Sequence, residues 1–258
     1  MHDILAGKIA WRLTDEASSV RQLADEALAE VARRPIVAGT ADPATTERLA
    51  HETLRAGANG GSVLALARSL GVGPLAMIDI YVGPVADWLG TAWCDDRLSF
   101  ADVTRGCAVL HRVIGDVPCI FPPQARPQRA GAVLVVVPQG EDHILGAATA
   151  VHQLRRAGFS VAAGFCPPDD EVEAAAARPE FDAVLLSVAS IDRLDRVSGL
   201  TRRIRARTPA PVLLGGAILG RIAPDALHDP GLPQIVPGGI ATLLGSGAAI
   251  LGAGRGGR

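Results

Sequence analysis

The feature that most constrains this chain is an unbroken apolar run, Ala132-Val133-Leu134-Val135-Val136-Val137. Alternate side chains of a strand point to opposite faces of a sheet, so a run with no polar position cannot have one wet face. It reads as a strand buried on both sides, and such a strand needs helices above and below it. The residues that follow supply them. Helical spacing from Ile144 to Arg156, closed by Gly158, leads to a strand over 160–165. A helix over 169–177 then leads to a strand over 183–186, and a helix over 192–205 to a strand over 211–214. A short helix near 219–225, a weaker strand around 234–236 and a last helix over 240–251 complete the pattern. This alternation dictates a parallel sheet, because each helical crossover returns the chain to the same end of the sheet. The expected class is α/β: a flavodoxin-like (Rossmann-like) five-stranded parallel sheet, order 2-1-3-4-5, with helices on both faces.

Before residue 115 the hydrophobic period is helical throughout. Ile4, Ile9, Leu13, Val20, Leu23, Ala27 and Val31 fit one long opening helix. Asp42-Pro43 with Glu47 marks a capped helix start. Gly60-Gly61-Ser62 is expected to break the chain ahead of a short helix over 63–70, and Pro74 to open another that runs to Trp93. Ser99 caps a final helix in which Phe100, Val103, Cys107, Leu110 and Ile114 share a face. Helices joined by short turns make a bundle. The segment DVPCIFPPQARPQR after Gly115 suits neither helix nor strand. The expected organisation is therefore a helical bundle (cap) over 1–114, a Pro-rich linker over 115–130, the sheet domain over 131–252 and a flexible tail over 253–258.

Composition narrows the function. Hydrophobic residues make up 48% and charged residues 20% of the 258, the balance of a globular protein with a substantial core. The formal charge is −2 without any long run of like charges, so no direct nucleic-acid binding is expected, since phosphate neutralisation needs clustered Lys and Arg. Cys94, Cys107, Cys119 and Cys166 form no C-x-x-C pair. Together with a start that does not read as a leader, this points to free thiols and a cytoplasmic location, and no apolar stretch is long enough to span a membrane.

In a doubly wound sheet, ligands bind beyond the carboxyl ends of the strands at the switch point. The unusual residues fall on three such ends. Glu141, His143 and Gly146 follow the first strand, Ser187 and Ala189 end the third, and Gly215-Gly216 end the fourth. A neutral imidazole is a good metal ligand, and a carboxylate two residues away can fix its tautomer. Glycines let backbone approach a bulky ligand. Alone, a histidine at a βα turn is more often a helix-start residue, and a glycine pair is a turn. The three motifs on one rim carry more weight than any one of them.

Glu141-x-His143-x-x-Gly146, then Ser187-x-Ala189, then Gly215-Gly216 resembles the cobalamin-binding pattern D-x-H-x-x-G, S-x-L, G-G, with matching intervals of about forty and about twenty-five residues. The resemblance implies that His143 is the lower axial ligand of cobalt, replacing the cofactor's own dimethylbenzimidazole. The displaced nucleotide tail would lie in a slot lined by the serine and the glycines. Glu141 stands where the pattern has Asp, and Ala189 where it has Leu. With WCDDRLSFADVT before them, these departures are similar to a narrower group, the AerR/PpaA antirepressors of purple photosynthetic bacteria and the related C-terminal domain of AppA. That resemblance covers about residues 75–250. It implies a non-enzymatic, light- or redox-responsive regulator acting on a photosynthesis-gene repressor of the CrtJ/PpsR type. Members of the group bind cobalamin or haem, so a haem sensor on the same scaffold is one alternative. A corrinoid carrier of a methyltransferase system is another.

The bundle is expected to cap the upper face of the corrin. In cobalamin light-sensing repressors a W-x9-E-H motif does so; here Trp93 is present, but Val103 and Thr104 stand at the other two positions. His111, two turns after Thr104 and so on a similar face, is a candidate substitute for the missing histidine, although a histidine so placed is more often an ordinary helix-surface residue. Cys166-Pro167 matches a dipeptide of haem-responsive motifs. His152 reads as a solvated helix residue, and Asp95 and Asp96 as turn and capping charges.

Overall fold

The computed structural model describes residues 37–119, 131–222 and 231–235. The expected opening helix over 4–31, the last helix over 240–251 and the tail lie outside the described residues, as does most of the linker.

Four helices build the bundle. In α1 (Pro43–Leu54) the Asp42 carboxylate accepts the Thr45 N–H at 2.8 Å, with Pro43 at the first helical position. Helix α2 (Gly60–Ser69) begins earlier than the sequence suggests. Asn59 and Ser62 form a reciprocal capping box, so Gly60, Gly61 and Ser62 make up the first turn rather than a break. Helix α3 (Pro74–Cys94) contains a π-helical turn over Met77–Tyr81. Helix α4 (Phe100–Asp116) starts in a second capping box, Ser99 with Asp102, and runs two residues into the expected linker. Leu49, Val63, Met77, Val85, Leu89, Leu110 and Val113 meet in the middle of the bundle, all fully buried. Each such side chain contributes about 2 kcal/mol of burial.

The second half is a parallel sheet in the order β2-β1-β3-β4-β5. Four full strands, β1 (Ala132–Val137), β2 (Ser160–Phe165), β3 (Ala183–Ser187) and β4 (Val212–Gly215), are followed by a two-residue β5 (Gln234–Ile235). The reason for the unbroken apolar run is visible in its packing. Val133, Val135 and Val137 face Ala147, Val151 and Leu154 of α5 (Leu145–Arg156). Leu134 and Val136 turn to the other side, against Val172 of α6 (Asp169–Ala176) and Val197, Leu200 and Ile204 of α7 (Leu194–Arg205).

The bundle rests on α5. Leu145 and Ala148 pack into the bundle's own core. At the far end of α5, the fully buried Asp79 carboxylate, on the π turn of α3, accepts from Arg156 at 2.5 Å, Gln153 at 3.1 Å and the Val37 N–H at 2.7 Å. The His152 ring, expected to be solvated, is only 5% exposed. Its Nε2 donates to the Val117 carbonyl just past the end of α4, at 3.0 Å. The period alone could not show this, because the face of α5 that looks polar is covered by the bundle. Since the end of α4 meets the late residues of α5, its earlier residues lie toward the carboxyl rim. Phe100 stands about 16 Å further along the helix than His111, so the start of α4 reaches beyond that rim.

Candidate functional site

The rim loop after β1 is organised around one carboxylate. Glu141 is 2% exposed, yet both of its oxygens are fully engaged. Oε1 accepts from the His143 ring Nδ1 at 2.6 Å and from the His143 N–H at 3.0 Å. Oε2 accepts from the N–H groups of Ala189 at 2.8 Å and Ser190 at 3.2 Å, across the rim beyond β3. Burial alone would raise the pKa of this group. The Ala189 amide, the His143 ring, the His143 amide and the Ser190 amide outweigh it and hold the carboxyl down to about 2.

The consequence for His143 is a fixed tautomer. An ionised carboxylate can only accept, so Nδ1 carries a proton, and in the neutral ring the lone pair is on Nε2. The His143 side chain is 68% exposed, and that nitrogen is therefore presented rather than buried. Gly146 lies in the first turn of α5, and a Cβ there would touch nothing within 4 Å. Its small size serves no packing within the protein and keeps the backbone beside His143 bare.

Beyond β3 and β4 the rim is tied together. Ser187 is buried and pairs in register with Gly215, and the Val188 N–H donates to the Gly215 carbonyl at 3.0 Å. Gly216 has φ +97°, and a Cβ there would strike the Val188 backbone. This glycine is required by the fold itself. Glu141, His143, Ala189, Ser187, Gly215 and Gly216 are thus joined into one rim. Trp93 is not bonded to them. It is 47% exposed at the end of α3, its ring 6.1 Å from that of Phe100, which is 70% exposed. Phe100, assigned from the sequence to the core face of α4, instead sits at the first helical position, before that face closes. His111 lines a groove between α4 and α5 that also includes Ile144. Asp95 pairs with Arg97 in the turn before α4, and Asp96 occupies a left-handed position there.

Residues 131–237 match the family described as the B12 binding domain. A Rhodobacter capsulatus protein, named only as an uncharacterized 20.5 kDa protein in the bchF-crtJ intergenic region, is 34% identical over 146 residues, 55% of this chain and 76% of that protein. The chain belongs to the B12-binding-domain family. The match to the crtJ-region relative agrees with the resemblance to the AerR/PpaA group, and cobalamin is the cofactor. The fold of this B12-binding protein is similar to that of the Methanosarcina barkeri monomethylamine corrinoid protein, with a TM-score of 0.59 and 16% identity over 78% of this chain and 94% of that one.

The residues of the B12-binding domain fit the cofactor. A corrin brings four of its own nitrogens to cobalt, so the protein would need to add one ligand, and the exposed Nε2 of a neutral His143 is of the right chemistry to supply it. Among the described residues no group of three or more His, Cys, Asp or Glu could hold a bare metal ion. Two contributions to this loop were not read from the sequence. Ser190 acts through its backbone N–H, which leaves no residue-type signal. The Cys166 thiol, in a left-handed residue after β2, donates to the Glu141 carbonyl at 3.2 Å and so buttresses the same loop.

Proposed function

We propose that this B12-binding protein is a non-enzymatic, cobalamin-dependent, light- or redox-responsive regulator. It acts as an antirepressor, through protein–protein contact, on a photosynthesis-gene repressor of the CrtJ/PpsR type. The observation that carries the reading is the relationship to the crtJ-region protein over three-quarters of that protein's length. The chemistry of the rim supports it. One oxygen of Glu141 aims the imidazole while the other anchors the carboxylate to the Ala189 and Ser190 amides, an arrangement suited to holding a cofactor.

Bound cobalamin supplies a cobalt centre with an exchangeable upper ligand, photolabile when that ligand is an alkyl group. The protein's part is to hold and to report. His143 Nε2 would coordinate the cobalt, Glu141 would fix its tautomer and orientation, and Gly146 would leave the approach clear. Trp93 and Phe100 offer apolar surface on the part of the bundle that extends past the rim. Through these two side chains the bundle would meet the bound cofactor and pass a change at it to the partner.

The test is a visible absorption titration with hydroxocobalamin and with adenosylcobalamin, in the dark and after illumination, followed by repressor–operator binding with and without the loaded protein. Loss of cobalamin binding in His143→Ala and relief of repression by only one light state are expected. A His143→Ala variant that binds as well as the parent overturns the ligand assignment. Relief of repression that ignores light and cofactor overturns the regulatory role.

A further inference from the structure

Strand β2 forms one edge of the sheet. The Ser160 N–H donates to the Gly131 carbonyl and the Cys166 N–H to the Val137 carbonyl, both at 2.9 Å. Backbone groups of even-numbered residues therefore face β1, and those of Val161, Ala163 and Phe165 face outward. Among the described residues nothing pairs with these three N–H groups. The Val161 carbonyl accepts from the Arg155 guanidinium at 3.2 Å. The strand reads SVAAGF, with no charge and no proline, and Ser160, Ala162, Ala163 and Phe165 are exposed. Such an edge is a ready template for another strand, and proteins ordinarily blunt it with Lys, Pro or a covering element.

Beside this edge runs a groove of about 560 Å³. Ala163 and Phe165 contribute from β2, Ile144 from just before α5, Val151 from α5, and Ile114 from α4. Arg155 lines it as well and is its one guanidinium among the described residues. A strand edge whose outward N–H groups have no partner among the described residues, next to an apolar groove, fits one kind of occupant, an extended peptide. Its main chain bonds the edge while alternate side chains drop into the groove.

We propose that the free edge of β2, with the groove between α4 and α5, docks an extended segment of a partner protein. The segment alternates apolar and polar residues and carries an acidic side chain for Arg155. The proposal deepens the regulatory reading and rests on it for the existence of a protein partner. It also gives that partner a surface touching both the cap and the cofactor domain, because α4 belongs to the first and β2 to the second. A segment seated there senses their relative position.

The experiment selects a random decapeptide library on the full-length, cobalamin-loaded protein and compares each enriched peptide on Ala163→Pro, which removes one outward N–H and no ladder bond. Enriched peptides should alternate apolar and polar residues and include Asp or Glu. Loss of one or two edge bonds should weaken them about tenfold on the variant. Arg155→Glu should weaken acidic peptides and favour basic ones. If Ala163→Pro does not fold, N-methylation of alternate peptide amides on the unaltered protein provides the same readout: one alternate set abolishes binding and the other does not. No enrichment, or peptides indifferent to all of these changes, overturns the proposal. So does slow amide exchange at Val161, Ala163 and Phe165 in the free protein, which would mean that the chain itself or a second copy already fills the edge; sedimentation separates those two. Failure of the regulatory reading appears separately, as repression that does not respond to light or cofactor while peptide binding persists.

Discussion

His143 and His152 stand close together in the sequence and are put to opposite uses. At the rim, the first ring nitrogen of His143 is held by an ionised carboxylate and the second faces outward. At the seam between bundle and sheet domain, His152 donates Nε2 to the Val117 carbonyl and its Nδ1 is buried with no hydrogen-bond partner among the described residues. In each case the first nitrogen's partner fixes the tautomer. What separates a ligand from a structural pin is whether the second nitrogen is left accessible. The seam is a fastening that ties the cap to α5, the helix that begins beside His143, and the rim is a presentation of one lone pair.

The sharpest way to break this comparison is to cut the fastening. Asp79→Ala leaves Arg156 in a buried interface without its carboxylate, which costs about 3–5 kcal/mol. Urea denaturation should show that loss. If the seam is only a fastening, the variant kept well below its melting point should still give the parent's cobalamin spectrum. A loss below 1 kcal/mol would move the fastening elsewhere along the interface.

Glu141→Gln tests the other side. The amide cannot satisfy four N–H donors as the carboxylate does, and the hold on the His143 tautomer is lost. Cobalamin affinity should fall about 10–100-fold, read from spectral titration, with the fold intact. Unchanged affinity would mean that His143 needs no orienting partner.

Gly216→Ala distinguishes fold from site at the same rim. With φ at +97° and the Val188 backbone in the way, alanine should cost about 1–3 kcal/mol of stability. Gly146→Ala, in open space within a helix, should raise stability by up to about 1 kcal/mol and still weaken cofactor affinity. If Gly146→Ala leaves cofactor affinity unaltered, the bare backbone beside His143 has no ligand-related purpose.

Much of this was legible from the residues, and the gaps have physical causes. The six-residue apolar run dictated β1 and its register-bearing neighbours, because only a strand covered on both faces tolerates such a run. Glu141 and His143 could be paired from spacing, since two residues is the reach of a carboxylate to an imidazole in a turn. The hold of Ala189 and Ser190 on Glu141 could not be read, since main-chain donors carry no residue code. Nor could the burial of His152 and Asp79, because each lies on a helix face that is polar by composition and becomes interior only when the two halves meet. The three polar groups of α5 there, His152, Gln153 and Arg156, satisfy tertiary partners rather than water.

The smallest effect is the one that separates the two histidines by titration. Burial, aided by Arg156 and Arg155, lowers the His152 pKa against the opposing pull of the Val117 carbonyl and Asp79. The folded chain therefore keeps this ring neutral at pH values where the unfolded chain takes up a proton, near 6.5. The stability that depends on the neutral ring is fully present above that pH. It declines as pH falls, until the folded state also protonates. His152→Gln keeps an N–H donor for Val117 and cannot titrate, so its unfolding free energy should fall less than the parent's on acidification below 6.5. Urea midpoints for both proteins across that range supply the measurement. Parallel curves would show that the ring is not held neutral in the fold, and the distinction between a presented and a buried imidazole would lose its energetic basis.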